Sequence, residues 1–144
     1  MKAEESIDFQ LRRTWTSLMR YYNARAKVES KSATAAMAMV LLAIPPDGIP
    51  STQIGPKMGI ESTSLSRILN VLEDQGLINR QDDKNDKRKS IVFLTSNGKK
   101  QRDKSKAEVI QINQLVNETI GKKKLVNCLE TLEQINSILE NQIQ

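Results

Sequence analysis

Residues 61–98 read ESTSLSRILNVLEDQGLINRQDDKNDKRKSIVFLTSNG, and the order of patterns within them decides the fold. Leu65, Ile68, Leu69 and Leu72 recur at helical spacing as one apolar stripe, which leaves Thr63, Ser66, Arg67 and Asn70 on an opposite face that is polar but nearly uncharged. Gly76 stands where a helix commonly leaves through a left-handed residue, and Leu77-Ile78 then opens an extended run carrying Arg80. Gln81 to Lys89 is too polar to bury and rich in turn formers, whereas Ser90 to Thr95 is β-branched and aromatic. The stretch is therefore expected to be a helix followed by a hairpin with a charged tip. Thr95 is placed to cap a further helix beginning at Ser96-Asn97-Gly98.

Upstream, Ile7, Leu11, Trp15, Leu18, Met19, Tyr22 and Ala26 recur at steps of three and four, predicting a long amphipathic helix after a frayed acidic start. Ser30-Lys31-Ser32 breaks that pattern, and Thr34 to Ile44 is nearly continuous Ala, Met, Val and Leu, as in a helix buried on most sides. Pro45-Pro46-Asp47-Gly48 is a turn. The run from Ile49 to Ile60 is expected to form the first helix of a helix-turn-helix, with Ile54 and Met58 inward and Gly59 at the turn. Pro56, past the first turn, removes a hydrogen bond and clashes with the preceding turn, which predicts a short or distorted helix.

Downstream, Lys99 to Lys106 is charged, and Val109, Ile112, Val116 and Ile120 make an apolar seam. Gly121-Lys122-Lys123-Lys124 interrupts it, after which Leu125, Leu129, Leu132, Ile135, Leu139 and Gln142 follow at near-heptad spacing, widened by Cys128, Ile138 and Ile143. Such a terminal helix is expected to meet a second subunit, the alternative being packing within one chain. Cys128 on this seam reads first as a small buried hydrophobe.

At 144 residues the chain is long enough for one domain with a real core, or one domain with an oligomerisation arm. Because 38% of residues are hydrophobic but only 3% aromatic, the core must be aliphatic, which favours a mainly helical protein. The net charge is +5, yet residues 80–106 alone hold ten Lys or Arg against four Asp, an excess of +6. Charge focused in this way suits a phosphate-facing surface, although a charge run can equally be a solvated face. There is no His and one Cys, which excludes an intrachain disulfide and a Cys-rich zinc site and removes the commonest general base and metal ligand. No cofactor or metal is expected, and an enzyme is the least expected class, because no nucleophile, base and orienting group stand together at a recognisable spacing. No apolar run approaches the ~20 residues of a membrane span, and the first residues do not lead into a secretion signal, so a cytoplasmic protein is expected.

The spacing Asp86-x-Arg88-x5-Leu94-Thr95-x2-Gly98, just after Leu72-Glu73-Asp74-Gln75-Gly76-Leu77-Ile78-x-Arg80, resembles the MarR (multiple antibiotic resistance regulator) family of winged helix-turn-helix proteins. The resemblance implies a mainly α fold with a small β-hairpin. It would have a winged helix-turn-helix head over 33–98 and dimerisation helices over 1–30 and 99–144, all within one domain of 1–144. Gly55-Pro56 departs from the family's usual pattern of Ala followed by a helix former. The resemblance also implies a small aromatic effector lodged between the first helix and the head, where Trp15, Met19, Tyr22 and Met37 are candidates; read from the residues alone, Trp15 and Tyr22 are packing positions.

The function expected is a homodimeric transcriptional regulator, a repressor, that binds double-stranded DNA at a palindromic site. Ser62, Thr63, Ser64, Ser66, Arg67 and Asn70 would face the major groove, and Arg80, Lys84, Lys87, Arg88 and Lys89 would supply the cationic side of the interface. Asp86 would orient Arg88 or close the hairpin tip, since a bare carboxylate is repelled by phosphate. Two rivals stand beside this: a winged-helix module for protein or RNA contact, and a thiol redox sensor working through Cys128.

Overall fold

A computed structural model of the protein describes residues 1–28 and 34–143. The backbone divides into two compact units, Met1–Lys106 and Ala107–Gln144. The break expected at Ser30-Lys31-Ser32, and with it the expected boundary near residue 33, lies outside the described residues.

The first unit opens with a 3-10 turn at Ala3–Glu5, where a frayed start was expected, because Glu5 Oε2 accepts from the Lys2 backbone N–H at 3.1 Å. Helix α1 spans Ile7–Val28 and α2 spans Ala35–Ala43. Thr34 caps α2, its hydroxyl accepting from the Met37 N–H at 3.3 Å, and Ala35, Met37, Val40 and Leu41 are buried, as the lack of charge required. Strand β1 is only Ile49–Pro50. Helix α3 covers Ser51–Met58 and α4 covers Ser62–Asp74; β2 is Ile78–Asp82, β3 is Ser90–Leu94, and α5 begins at Ser96.

One expectation needs correction here, and the expected short helix is found. Ile49 and Pro50 do not belong to the helix: they pair antiparallel with β3, Ile49 opposite Val92 and Pro50 opposite Ile91, so the hairpin grows into a three-stranded sheet ordered β1-β3-β2. Proline is tolerated because β1 is an edge strand, where its missing N–H leaves no ladder bond unmade. The helix that follows is short, eight residues, yet runs through Pro56 without a break. Pro56 lies in its last turn and is exposed, so little helix remains to be disrupted.

The core of this unit is aliphatic. Met37, Val40, Leu41 and Ile44 from α2 and its end, Ile49, Ile54, the α4 stripe Leu65, Leu69 and Leu72, and Ile78, Val92 and Leu94 from the sheet form one cluster. Each such side chain contributes about 1.5–3 kcal/mol on burial, so the stripe on α4 is what holds that helix against α2 and the sheet. Gly59, at φ +63°, makes the turn between α3 and α4, with the Ile60 N–H donating to the Gly55 carbonyl at 3.0 Å. A methyl group on Gly55 would come within 2.9 Å of the Ile60 carbonyl oxygen, a steric reason for glycine where alanine was the usual expectation.

In the second unit, α5 ends at Ile120, Gly121 turns the chain at φ +88°, and α6 spans Lys122–Ile143. No residue of α6 is buried within the chain, and Val126, Leu129, Ile138, Leu139 and Ile143 are all exposed. Cys128 is exposed as well, against the expectation of a buried position. Among the described residues no helix is long and apolar enough to cross a membrane, and no group of His, Cys, Asp and Glu is arranged to hold a metal.

Candidate nucleic-acid interface

Helix α4 buries Leu65, Leu69 and Leu72 and half-buries Ile68, which turns the rest of its surface outward. Ser62, Thr63, Ser64, Ser66, Arg67 and Asn70 are all exposed, so the expected hydroxyl-rich face exists and is reachable. Glu61 precedes the helix without a side-chain cap, leaving first-turn N–H groups beside three hydroxyl-bearing residues. Hydroxyl and guanidinium groups on one open helix face can donate to base edges and to phosphate oxygens alike.

The helix leaves through Gly76 at φ +67°: the Leu77 N–H donates to the Leu72 carbonyl at 2.9 Å and the Gly76 N–H to the Glu73 carbonyl at 2.8 Å. This double bond pattern closes the helix end and turns the chain directly into β2. Thr95 is the joint at the other side of the sheet. Its hydroxyl donates to the Gly76 carbonyl at 2.6 Å and accepts from the Gly98 N–H at 3.0 Å, capping α5 as expected.

Between β2 and β3 the tip is held by its own acidic residues. Asp83 Oδ1 accepts from the Asn85 N–H at 2.8 Å, and Asp86 Oδ1 accepts from the Arg88 N–H at 3.0 Å. The Asp83 N–H also donates to the Lys89 carbonyl, and the Lys89 N–H to the Asp86 carbonyl, both at 2.9 Å. Asp86 thus touches the backbone of Arg88, while Lys84, Lys87, Arg88 and Lys89 all extend exposed from the tip. At the tip's base, Ser90 shares a hydroxyl hydrogen bond of 3.1 Å with Ser51, the first residue of α3, tying the wing to the helix-turn-helix.

Arg80 is placed differently from the other cations. Its Nε donates to Glu73 Oε2 at 2.9 Å and its Nη2 donates to the same carboxylate oxygen and, at 2.6 Å, to Asn70 Oδ1. The guanidinium holds the Glu73 carboxyl below the ordinary glutamate range, chiefly through this hydrogen bond. Glu73 was not among the residues singled out in the sequence; its helical spacing of three from Asn70 was the available signal.

The residues considered for an effector lie in the same unit but differ in exposure. Met37 is buried, Met19 and Tyr22 are half-buried, and Trp15 is about half exposed, at 48%. The start of α2 is tied to α1 by the Ala35 N–H donating to Asn23 Oδ1 at 2.9 Å.

Comparison with known proteins agrees with this geometry. Residues 32–90 match the model of the MarR family. The crystal structure of the transcriptional regulator SlyA aligns with a TM-score of 0.83 at 20% identity, covering 95% of this chain and 96% of that one. The MepR–DNA complex from S. aureus aligns with a TM-score of 0.81 at 19% identity, covering 93% and 98%. CouR from Rhodococcus jostii RHA1, bound to p-coumaroyl-CoA, aligns with a TM-score of 0.77 at 20% identity, covering 94% of each chain. With a helix-turn-helix, a capped exit into a three-stranded wing, and a match to the MarR family model over residues 32–90, this chain has the winged-helix fold and resembles that family across its head.

Proposed function

We propose that the chain is a transcriptional repressor that binds double-stranded DNA as a homodimer on a palindromic operator and is released by a small aromatic effector. The observation that carries the reading is the pairing, in one unit, of an open hydroxyl-rich face on α4 with a wing tip bearing four exposed cations. In this reading Ser62, Thr63, Ser64, Ser66 and Arg67 enter the major groove, where Arg67 reads a guanine edge, and Lys84, Lys87, Arg88 and Lys89 follow the backbone or minor groove. The DNA complex of MepR from S. aureus supports the choice of duplex DNA over RNA or a protein partner.

Dimerisation is supported by apolar surface left bare in the single chain: Ile7, Leu11 and Trp15 on α1, Ile110, Leu115 and Ile120 on α5, and the outer residues of α6. A two-fold dimer sets two recognition helices about one DNA turn, ~34 Å, apart. The effector is supported by the ligand-bound CouR structure and would act by binding the two head spacings unequally, with Trp15, Met19, Tyr22 and Met37 as its candidate wall. The reading assigns no catalysis and places the protein in the cytoplasm. The exposure of Cys128 favours one second reading, a thiol sensor, which requires peroxide-dependent loss of binding that vanishes in Cys128→Ser.

An anisotropy titration tests the interface. Arg88→Glu nearly abolishes binding to every duplex, whereas Arg67→Ala mainly relaxes sequence preference, by about 1–3 kcal/mol at one position. Parent-like affinity for Arg88→Glu would show that the wing does not meet DNA.

A further inference from the structure

We infer that Arg80 is a positioning residue, one that locks the flank of α4 to the wing strand β2 so that helix and wing meet a duplex as one body. The inference rests on the DNA-binding reading above but takes Arg80 out of the contact surface. Charge counting groups Arg80 with the wing cations; the geometry separates it from them. Lys84, Lys87, Arg88 and Lys89 extend exposed from the tip, whereas the Arg80 side chain is 29% exposed and directs Nε and Nη2 at two residues of α4.

Those two residues, Asn70 and Glu73, stand three apart and so present one side of the helix to the strand. Arg80 sits mid-strand opposite Val92, a buried core residue, so its backbone is fixed by the sheet and the bonds constrain the helix. The buried stripe of Leu65, Leu69 and Leu72 fixes which side of α4 faces the core, but apolar contact is non-directional and permits small rotations about the helix axis. A guanidinium fork bonded to two points on the helix removes that freedom. Because Asn70 lies on the same exposed face as Ser66 and Arg67, the rotation being fixed is the one that aims those side chains.

Moving Arg80 to a phosphate would break the charge-assisted bonds to Glu73 and leave that carboxylate unneutralised beside a polyanion. With Arg80 in place the Glu73 carboxylate is neutralised, which leaves exposed Asp74 as the acidic side chain at the end of this helix. The two roles thus differ in what loss of Glu73 does to the preference for the proper site. If Arg80 contacts DNA, removing the Glu73 charge frees Arg80 and tightens binding to all duplexes. If Arg80 braces α4, removing it loosens the aim of the reading face and weakens preference for the proper site.

The test uses the full-length protein, a duplex selected from random DNA by the parent, and the variants Arg80→Gln and Glu73→Gln, titrated by anisotropy across a salt series. Both variants should lose preference for the selected site over random DNA by roughly tenfold, the scale of one misread base pair. Their salt slopes should match the parent's. An Arg80→Gln slope shallower by about one per protomer, with equal loss on selected and random duplexes, would instead identify a phosphate contact and overturn the inference. So would Glu73→Gln binding every duplex more tightly with its preference for the selected site intact.

Amide exchange measured without DNA provides the second readout: exchange over residues 70–76 should quicken in both variants by roughly tenfold while the buried core stays protected. Unchanged exchange there overturns the brace whether or not the parent selects any DNA. A parent that enriches no sequence defeats the DNA-binding reading instead, so the two failures are distinct. Glu73 is 39% exposed, and its substitution leaves the core untouched, so that arm decides the matter if Arg80→Gln fails to fold.

Discussion

Gly98 shows what a single residue must do where α5 starts against the sheet. A Cβ there would come 1.8 Å from the Leu77 carbonyl oxygen, which itself accepts from the Thr95 N–H at 3.1 Å and so cannot retreat without breaking a backbone bond. Gly98→Ala is therefore expected to destabilise the protein by roughly 2–4 kcal/mol, read as a lower urea midpoint with an unchanged slope. Glu73 makes a different prediction. Its carboxyl titrates below the ordinary glutamate range because Arg80 hydrogen-bonds the charged form, so its contribution is present above the ordinary range and is lost as pH falls through the folded value. Thermal melts of the parent and Glu73→Gln should differ at neutral pH and converge in acid, and a gap that persists once the carboxyl is protonated would mean the charge is not its source. The sequence marks Gly98 through the Leu-Thr-x-x-Gly spacing but does not reveal the contact that excludes a side chain, because Leu77 lies 21 residues earlier and meets it only once the sheet forms.

Among the elements, those whose signal is local were legible and those made by distant pairing were not. The period of α4, the exit at Gly76, the polar tip and the cap at Thr95 each lie within a few residues and are legible in the sequence alone. Strand β1 gives no such signal because two residues carry no period; its extended character comes from pairing with Ile91 and Val92, some forty residues away. Arg80 looked like one more free cation for a similar reason, since its partners sit seven and ten residues back on another element. Helix α3 makes the element's own prediction. Pro56 withholds an N–H that a helix would direct at the Thr52 carbonyl, and its ring crowds that carbonyl. Pro56→Ala should raise stability by about 1 kcal/mol, less than the ~3 kcal/mol of a mid-helix proline, because the site is in the last turn and proline also restricts the unfolded chain. A lower urea midpoint for Pro56→Ala would show instead that proline's stiffness is what braces the turn at Gly59.

At the scale of the whole molecule, the two units have opposite surface economies. Residues 1–106 contain the entire buried cluster and the polar outer face of α4, whereas α6 leaves a row of aliphatic side chains uncovered. The near-heptad seam in the sequence was legible as a stripe, but which surface covers it was not, because one chain's pattern looks the same whether its partner is itself or a neighbour. On the proposed function, α4 and the wing tip together read duplex DNA as a symmetric pair. Selection of bound sites from random double-stranded DNA by the full-length protein, followed by titration of the enriched duplex between 50 and 200 mM salt, tests it most directly. The account predicts an inverted repeat whose half-site centres lie about one helical turn apart, with affinity falling by ~10³ or more over that salt range. No enriched sequence, or an enriched sequence without two-fold symmetry bound equally well at both salt concentrations, would contradict it.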